Sequence, residues 1–486
     1  MQLLIPLSTP GEPLYRQLYR GLRNAILDGT LPNGQKLPST REIAEQLDVS
    51  RTAALMAYEH LLAEGFATGR PGSGTYVSKA VQSTGNITVR PSPKVPLSRF
   101  GAAAARAARK IQLPSQASRP HRYDFAFGIS DIEIFPFQAW RRILQRCARQ
   151  TRVTQLDYAS AAGTVSLRDA ICSHLRRSRA VACDPEQVVV VNGSQQALDL
   201  IARVFIEPGD TVAIEDPSYQ GTREALRVAG ARLVPVPVDR DGLDCLRLPS
   251  RARLAFVTPS HQFPTGAILP MARRFALLSW AKRARALIVE DDYDGEFHYQ
   301  GQPIESLEGL DREGRVIYVG TFSRTIFSAL RIGYLIAPKA LVATLAAAKW
   351  LCDRHTATLE QETLAEFISS GLYERYLRRV RRRNARRREV LLDSIARFIG
   401  DRAEVSGDGA GAHVVLWPKR RVSEQRIISE ARARGILIYG IAPYHMTRPR
   451  RAGLVLGYSR LQEAEIREGI RRLSEILKPA EHEPVS

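Results

Sequence analysis

Four carboxylates and a tyrosine close the apolar run Ile288-Val289-Glu290-Asp291-Asp292-Tyr293-Asp294. Acidic groups at the C-terminal end of a strand lie where α/β proteins bind ligands. Asp291 could hold the proton of a ring nitrogen, and Tyr293 could reach a ring oxygen. The competing readings are a hard-cation site and simple helix capping. The cation ranks lower, because no partner cluster of His or carboxylates is evident from spacing. Upstream, Val188 to Leu198 reads as strand, glycine turn and helix, aiming backbone amides and the Ser194 hydroxyl at an anion. Glu215-Asp216-Pro217-Ser218-Tyr219 follows another strand-like run and could set Tyr219 against a planar ring, although such a tyrosine more often simply packs.

These groups need a rigid frame, and the chain supplies the pattern for one. From Tyr123 onward, β-branched runs (Val188–Val191, Thr211–Ile214, Leu254–Val257, Leu287–Val289, Val316–Val319) alternate with amphipathic stretches. That alternation predicts an α/β body, a largely parallel sheet covered by helices on both faces. Val414–Trp417, Ile436–Tyr439 and Leu454–Leu456 predict a smaller α+β lobe over about 390–486.

Residues 1–78 follow different rules. Tyr15, Leu18, Tyr19, Leu22, Ala25 and Ile26 share one helical face, ending at Asp28-Gly29. Ser39 and Glu42 form a capping box that opens a second helix, with Ile43, Ala44 and Leu47 inward. A third helix starts at Ser50-Arg51-Thr52 and turns Ala54, Tyr58, Leu61 and Leu62 to the core. Two short strands around the turn Arg70-Pro71-Gly72-Ser73-Gly74 make a wing. A recognition helix presents small polar and basic residues at its N-terminus to the major groove, as Ser50, Arg51 and Thr52 would.

Between head and body, residues 79–122 carry prolines and little periodicity, apart from an alanine-rich stretch at Ala102–Ile111 that suits a helical turn or two. This segment reads as an interdomain linker. The chain's net charge of +20 divides unevenly: +1 over residues 1–80, +8 over 81–122 and +11 over the rest. The basic segment suits either phosphate contact or a solvated spacer. Arg375 to Arg388 holds nine arginines in fourteen residues. Their spacing with Leu377, Val380, Val390 and Leu391 predicts a long helix whose basic face is solvated or salt-bridged along a dimer rather than laid on DNA. No apolar run approaches the roughly eighteen residues of a membrane span. Met1–Pro13 lacks the features of a secretory signal, so a cytoplasmic protein without membrane contact is expected. Cys147, Cys172, Cys183, Cys245 and Cys352 are scattered without a CxxC pair, which predicts neither a disulfide framework nor a zinc site.

The head resembles the GntR family of winged helix-turn-helix regulators, through Leu37-Pro38-Ser39-Thr40-Arg41-Glu42-Ile43-Ala44, Val49-Ser50-Arg51-Thr52, Glu64-Gly65 and Arg70 to Val77. The resemblance implies that Arg41, Arg51 and Thr52 touch a double-stranded DNA operator and that Gly72 supports the wing. Ala53 to Met56 depart from the family's β-branched residues, which leaves base preference open. Pro259-Ser260-His261-Gln262-Phe263-Pro264-Thr265-Gly266 and Tyr318 to Tyr334 extend the resemblance to the MocR subfamily, which fuses this head to a fold-type I aminotransferase-like body. That implies a homodimeric regulator responding to pyridoxal phosphate and to a vitamer, amine or amino-acid effector. Thr321, Ser323 and Arg331 would hold the cofactor phosphate with Ser194 and Gln195, and His261 or Gln262 would sit near the ring oxygen. One position breaks the pattern. Where the subfamily reads Thr-Phe-Ser-Lys, this chain has Thr321-Phe322-Ser323-Arg324. A guanidinium, with a pKa above about 12, forms no stable Schiff base at neutral pH, so bound cofactor is expected to be non-covalent and no catalytic residue is assigned. The last lobe also lacks the usual carboxylate-clamping arginine in Gly453 to Tyr458, leaving only Arg451 nearby.

Overall fold

The computed structural model describes residues 7, 11–80, 96–108, 121–150, 157–299 and 305–478. They form two compact units, Met1–Pro96 and Leu97–Ser486. Much of the basic segment 79–122 therefore lies outside the described residues.

In the first unit, α1 (Leu14–Leu27), α2 (Thr40–Gln46) and α3 (Arg51–Ala63) precede the strands β1 (Ala67–Arg70) and β2 (Gly74–Val77). The capping box forms: Ser39 Oγ accepts from Glu42 N, and Glu42 Oε2 accepts from Ser39 N at 2.7 Å. β1 and β2 pair antiparallel, with Arg70 opposite Gly74. The core contains Leu18, Leu22, Ile26, Ile43, Ala54, Ala57, Tyr58 and Leu61. Leu62, expected inward, is 40% exposed, while Ala57 is fully buried.

The second unit is a large lobe and a small lobe. Eight strands form the large sheet in the order Val188–Val191, Gly333–Ile336, Val316–Thr321, Leu287–Asp292, Leu254–Val257, Thr211–Asp216, Arg232–Asp239, Gly242–Leu243. The pairings from Val316–Thr321 across to Arg232–Asp239 are parallel. Gly333–Ile336 runs antiparallel to both its neighbours. Both faces are covered, by apolar clusters on Leu198, Leu200 and Ile201 and on Leu167, Ile171 and Leu175, so the central strands are continuously apolar. The small lobe is a four-stranded antiparallel sheet, Ala403–Ser406, His413–Pro418, Leu454–Gly457 and Tyr439–Gly440. Tyr123 and Phe125, far earlier in sequence, join its core. The helix in the linker-like stretch runs Arg99–Ala108 and packs on the helix Gln220–Val228.

The arginine-rich run lies in one helix, Leu372–Phe398. Five of the run's nine arginines form ion pairs with described residues of the chain, Arg381 with Glu374 among them. Buried Arg387 pairs with Asp131 at 2.7 Å, Arg383 with Asp131 and Glu133, Arg386 with Glu463 and Arg388 with Asp408. The helix ties the small lobe, through Glu463, to the segment around residue 131. Cys172 and Cys183, eleven residues apart, are buried free thiols with their sulfurs 2.8 Å apart. No helix among the described residues is long and apolar enough to cross a membrane.

Candidate functional site

The carboxylates of the 290–294 run go to different partners. Glu290 turns into the fold and accepts from the Leu307 and Glu308 amides, each at 3.0 Å. Asp292 accepts from Arg179 Nε at 2.8 Å and from the Tyr318 hydroxyl at 2.5 Å. Asp294 accepts from His261 Nδ1 at 2.9 Å. Asp291 alone has no hydrogen bond or ion pair among the described residues, and its Oδ1 is buried without a partner. A solitary buried carboxylate is costly unless something neutralises it. Burial, helped by repulsion from Asp292, raises the Asp291 carboxyl to about 7.

The sign of the resulting pH dependence follows from that shift. Unfolded, the group titrates near its ordinary 3.8. Between about pH 4 and 7 the folded chain keeps a proton that the unfolded chain has lost, so stability falls as pH rises through this window. Asp291→Asn removes the penalty and is expected to stabilise the ligand-free protein by about 1–3 kcal/mol at pH 8 and by much less at pH 5. Thermal unfolding at the two pH values measures it. Equal gains at both would show that Asp291 titrates normally.

Around Asp291 stands a cluster of rings and donors. His261 Nδ1 lies 3.0 Å from the Tyr293 hydroxyl. Burial opposes a charge on His261, but Asp294 outweighs it and raises the imidazole above its ordinary value. Burial, reinforced by Asp294, pushes the Tyr293 phenol well above its usual range, so Tyr293 keeps its proton as a donor. Gln262 points elsewhere: its Nε2 donates to Pro217 O and Phe263 O, so His261 is the member of the pair that meets Tyr293. His261, Asp294 and His413 also gather possible ligand atoms within 4.8 Å. Within the chain, His261 Nδ1 is engaged with Asp294 and His413 Nε2 with Pro264 O at 2.9 Å.

On the opposite side, the strand Val188–Val191 turns through Gly193 (φ 86°) into the helix Ser194–Phe205. The turn needs glycine twice over. Its φ is in the left-handed region, and a Cβ would fall 2.6 Å from Arg331 Nη2. Arg331, itself left-handed at φ 52°, donates to Asn192 O at 3.0 Å. The guanidinium therefore rests beside the first turn of that helix, where Ser194 stands half-buried. Thr321 Oγ1 accepts from Ser323 N at 3.1 Å, and Ser323 Oγ is buried without a partner. Gln195 Nε2 donates to Gly221 O at 3.2 Å. Tyr219 stands over the cleft with its ring edge-on to Phe263. The arrangement is an anion cradle at one end, a free acid at the other, and a phenol with an imidazole between them.

Arg324 leaves the strand end between the cradle and Tyr293. Its Cζ lies 5.9 Å from the centre of the Tyr293 ring. The guanidinium is half-buried, makes no hydrogen bond or ion pair among the described residues, and occupies the space that a side chain on Gly128 (φ 75°) would fill. It lies close enough to Asp291, Tyr219 and Tyr444 to act electrostatically on each. Phe127, Phe263, Tyr293, Phe297 and His413 line the small cavity beside it, of about 20 Å³, and no lysine does. Motif reading missed Gly128, Phe127, His413 and Tyr444. The sequence Phe127-Gly128-Ile129 carries only the glycine itself, whose positive φ appears once the chain is folded. Arg451 is committed elsewhere: it pairs with Glu404 at 2.7 Å and lies over the Trp417 ring.

In the head, Arg51 and Thr52 are exposed at the start of α3, and neither Arg51 nor Thr52 has a side-chain partner among the described residues. Ser50 serves as the N-cap, its hydroxyl accepting from Ala53 N at 3.1 Å. Arg41 is exposed beside Glu45 at 3.1 Å. Gly72 sits at the wing tip with φ 70°. Leu55 and Met56, also exposed, extend the same face of α3 as Arg51 and Thr52.

Comparison with known proteins agrees with this division. Residues 14–77 match the bacterial regulatory proteins of the gntR family, and residues 125–473 match aminotransferase class I and II. The probable rhizopine catabolism regulatory protein MocR of Rhizobium meliloti is 39% identical over 95% of this chain and 93% of its own. The pyridoxine biosynthesis transcriptional regulator PdxR of Corynebacterium glutamicum is 29% identical over 96% of this chain and 97% of its own. Among solved structures, the α-aminoadipate aminotransferase LysN of Thermus thermophilus, complexed with N-(5'-phosphopyridoxyl)-L-leucine, is 27% identical with a TM-score of 0.68, over 78% of this chain and 97% of its own.

Proposed function

From the premise that the chain belongs to the GntR family, as a transcription regulator of the MocR type with an aminotransferase class I and II body, we propose that this body senses pyridoxal phosphate or a related vitamer and performs no transamination on it. The observation that carries the reading is Asp291, a buried carboxylate left without a partner at the far end of a cleft whose other end is an anion cradle. The donor set fits the cofactor. Asp291 would hold the protonated ring nitrogen, and Tyr293, backed by His261, would donate to the ring oxygen. Ser194, Gln195, Thr321, Ser323 and Arg331 would surround the phosphate, with Tyr219 beside the ring. When bound, the cofactor supplies an electrophilic carbonyl carbon and an electron-withdrawing ring. Arg324 stands at the lysine position of that chemistry, and a guanidinium supplies neither a covalent anchor nor a base. The kinship with PdxR, a regulator of pyridoxine biosynthesis in Corynebacterium, favours a vitamer over other metabolites.

The head would read DNA through Arg41, Ser50, Arg51 and Thr52, with Gly72 letting the wing approach the backbone. We place the working boundary at residues 1–78 for the head, 79–122 for the linker and 123–486 for the sensing and dimerising body, in a cytoplasmic protein. Dimerisation has a specific support. Tyr158 and Leu351 are 72% and 79% exposed, Trp350 is half exposed, and the Arg354 guanidinium lies over the Tyr158 and Trp350 rings at 4.4 and 5.2 Å. A contiguous apolar patch of this kind is unusual on a monomer.

The test uses the full chain and a DNA site selected with it in vitro. Fluorescence anisotropy is expected to show that pyridoxal phosphate shifts DNA affinity, and sedimentation at micromolar concentration is expected to show a dimer. DNA binding indifferent to saturating vitamer would remove the sensor reading. A clean monomer would remove the pairing of two heads on one operator.

A further inference from the structure

The guanidinium of Arg324 makes no hydrogen bond or ion pair among the described residues, and its place is fixed by its surroundings. Three features of this chain place it. The cradle of Ser194, Thr321, Ser323 and Arg331 fixes the end that takes a phosphate, and Asp291 fixes the end that takes a protonated ring nitrogen. Tyr293 and His261 mark the ring oxygen. On a pyridoxine-type ring the remaining substituent, at C4′, lies between the ring oxygen and the phosphate arm, and Arg324 emerges between the residues that would hold those two groups. Gly128 gives the guanidinium its seat, and no carboxylate or carbonyl satisfies it there.

Resting on the vitamer-sensing reading, we propose that Arg324 selects ligands bearing an oxygen acceptor or oxyanion at C4′ and rejects those bearing an ammonium. The vitamers differ at this one atom in the needed way. Pyridoxal phosphate presents an aldehyde oxygen or its hydrate, which accepts from a guanidinium. Pyridoxine phosphate presents a neutral hydroxyl, which also accepts. Pyridoxamine phosphate presents a cation, and a guanidinium can only donate to an acceptor and repels a like charge. One carboxylate, Asp294, lines that small cavity together with Phe127, Phe263 and Phe297. Asp294 is taken by His261, and Asp291 lies at the ring-nitrogen end. A lysine at this position would not discriminate in this way, because its amine can lose its charge. The body would thus report the vitamers that carry oxygen at C4′ and ignore the amine form.

Isothermal titration of the full chain with pyridoxal phosphate, pyridoxine phosphate and pyridoxamine phosphate, with thermal unfolding as a check of folding, tests this. In the wild type the amine form is expected to bind at least tenfold more weakly than either of the others. In Arg324→Gln, which keeps a polar head without the charge, the discrimination is expected to shrink to less than threefold. Equal binding of all three ligands by the wild type would overturn the selectivity and leave the sensor reading intact. Binding by Arg324→Gln alone would show that the guanidinium closes the pocket, which also overturns it. Failure of every ligand on both folded proteins would overturn the sensor reading, and the selectivity with it.

Discussion

Replacing Arg324 by lysine is expected to convert a protein that gains no covalent cofactor into one that gains one per chain. After incubation with pyridoxal phosphate and borohydride, the mass of the wild type at residue 324 should be unchanged, while Arg324→Lys should carry the reduced cofactor and show a visible absorption band before reduction. The expectation comes from proton chemistry. A guanidinium stays charged at any accessible pH, whereas a lysine amine beside other cations and apolar walls sheds its proton readily. Here the nearest groups include the rings of Tyr293, Phe127 and Phe263. The exchange should cost the fold little. Arg324 has no hydrogen bond or ion pair to lose among the described residues, and its removal only widens a cavity of about 20 Å³ beside Gly128. If the lysine variant stays colourless at saturating cofactor, the cleft does not accept the ring, and the body senses something else.

That the exchange can be designed at all reflects what a sequence carries and what it hides. Local features were legible. The Ser39/Glu42 box and the Arg70–Gly74 turn are built from residues a few positions apart, and the structure shows the cap and the hairpin they announce. The strand runs of the body are rich in valine, isoleucine and leucine, and all but the edge strand Val188–Val191 lie inside the large sheet. Leu62 marks where periodicity fails: it follows Tyr58 by four residues, but in the last turn of α3 only Leu61 faces the core and Leu62 lies at its edge. The site was legible in its members and not in their state. Four carboxylates in five residues look alike until Glu290, Asp292 and Asp294 each find a partner, and Asp291 none. Two of those partners, Arg179 and His261, lie 113 and 33 residues away in the chain. The arginine-rich helix shows the same thing. Its pattern reveals an amphipathic helix, but Asp131, which occupies Arg387, lies 256 residues earlier. Gly128 and Tyr444 carry no motif, and only folding brings them to Arg324.

Arg51→Ala is expected to lower operator affinity ten- to a hundredfold, the effect of losing one good base contact worth about 1–3 kcal/mol. Position supports this. Arg51 is the first residue of α3, exposed, and without a partner among the described residues, so its guanidinium is available to a groove. Its neighbour Ser50 is a poorer probe. The Ser50 hydroxyl caps α3 through Ala53 N, so Ser50→Ala would cost about 1 kcal/mol of head stability and confuse a lost cap with a lost contact. Arg41→Ala is cleaner than Ser50→Ala, because its exposed pair with Glu45 contributes little to stability. It separates two kinds of contact. A base-reading Arg41 would lose affinity for the selected site and not for random DNA, while a phosphate-binding Arg41 would weaken both and lower the dependence on salt by about one charge. Anisotropy with the full chain, on the selected operator and on a scrambled duplex at two salt concentrations, distinguishes these. Unchanged operator affinity in Arg51→Ala, with the head still folded by circular dichroism, would take the N-terminus of α3 out of the interface.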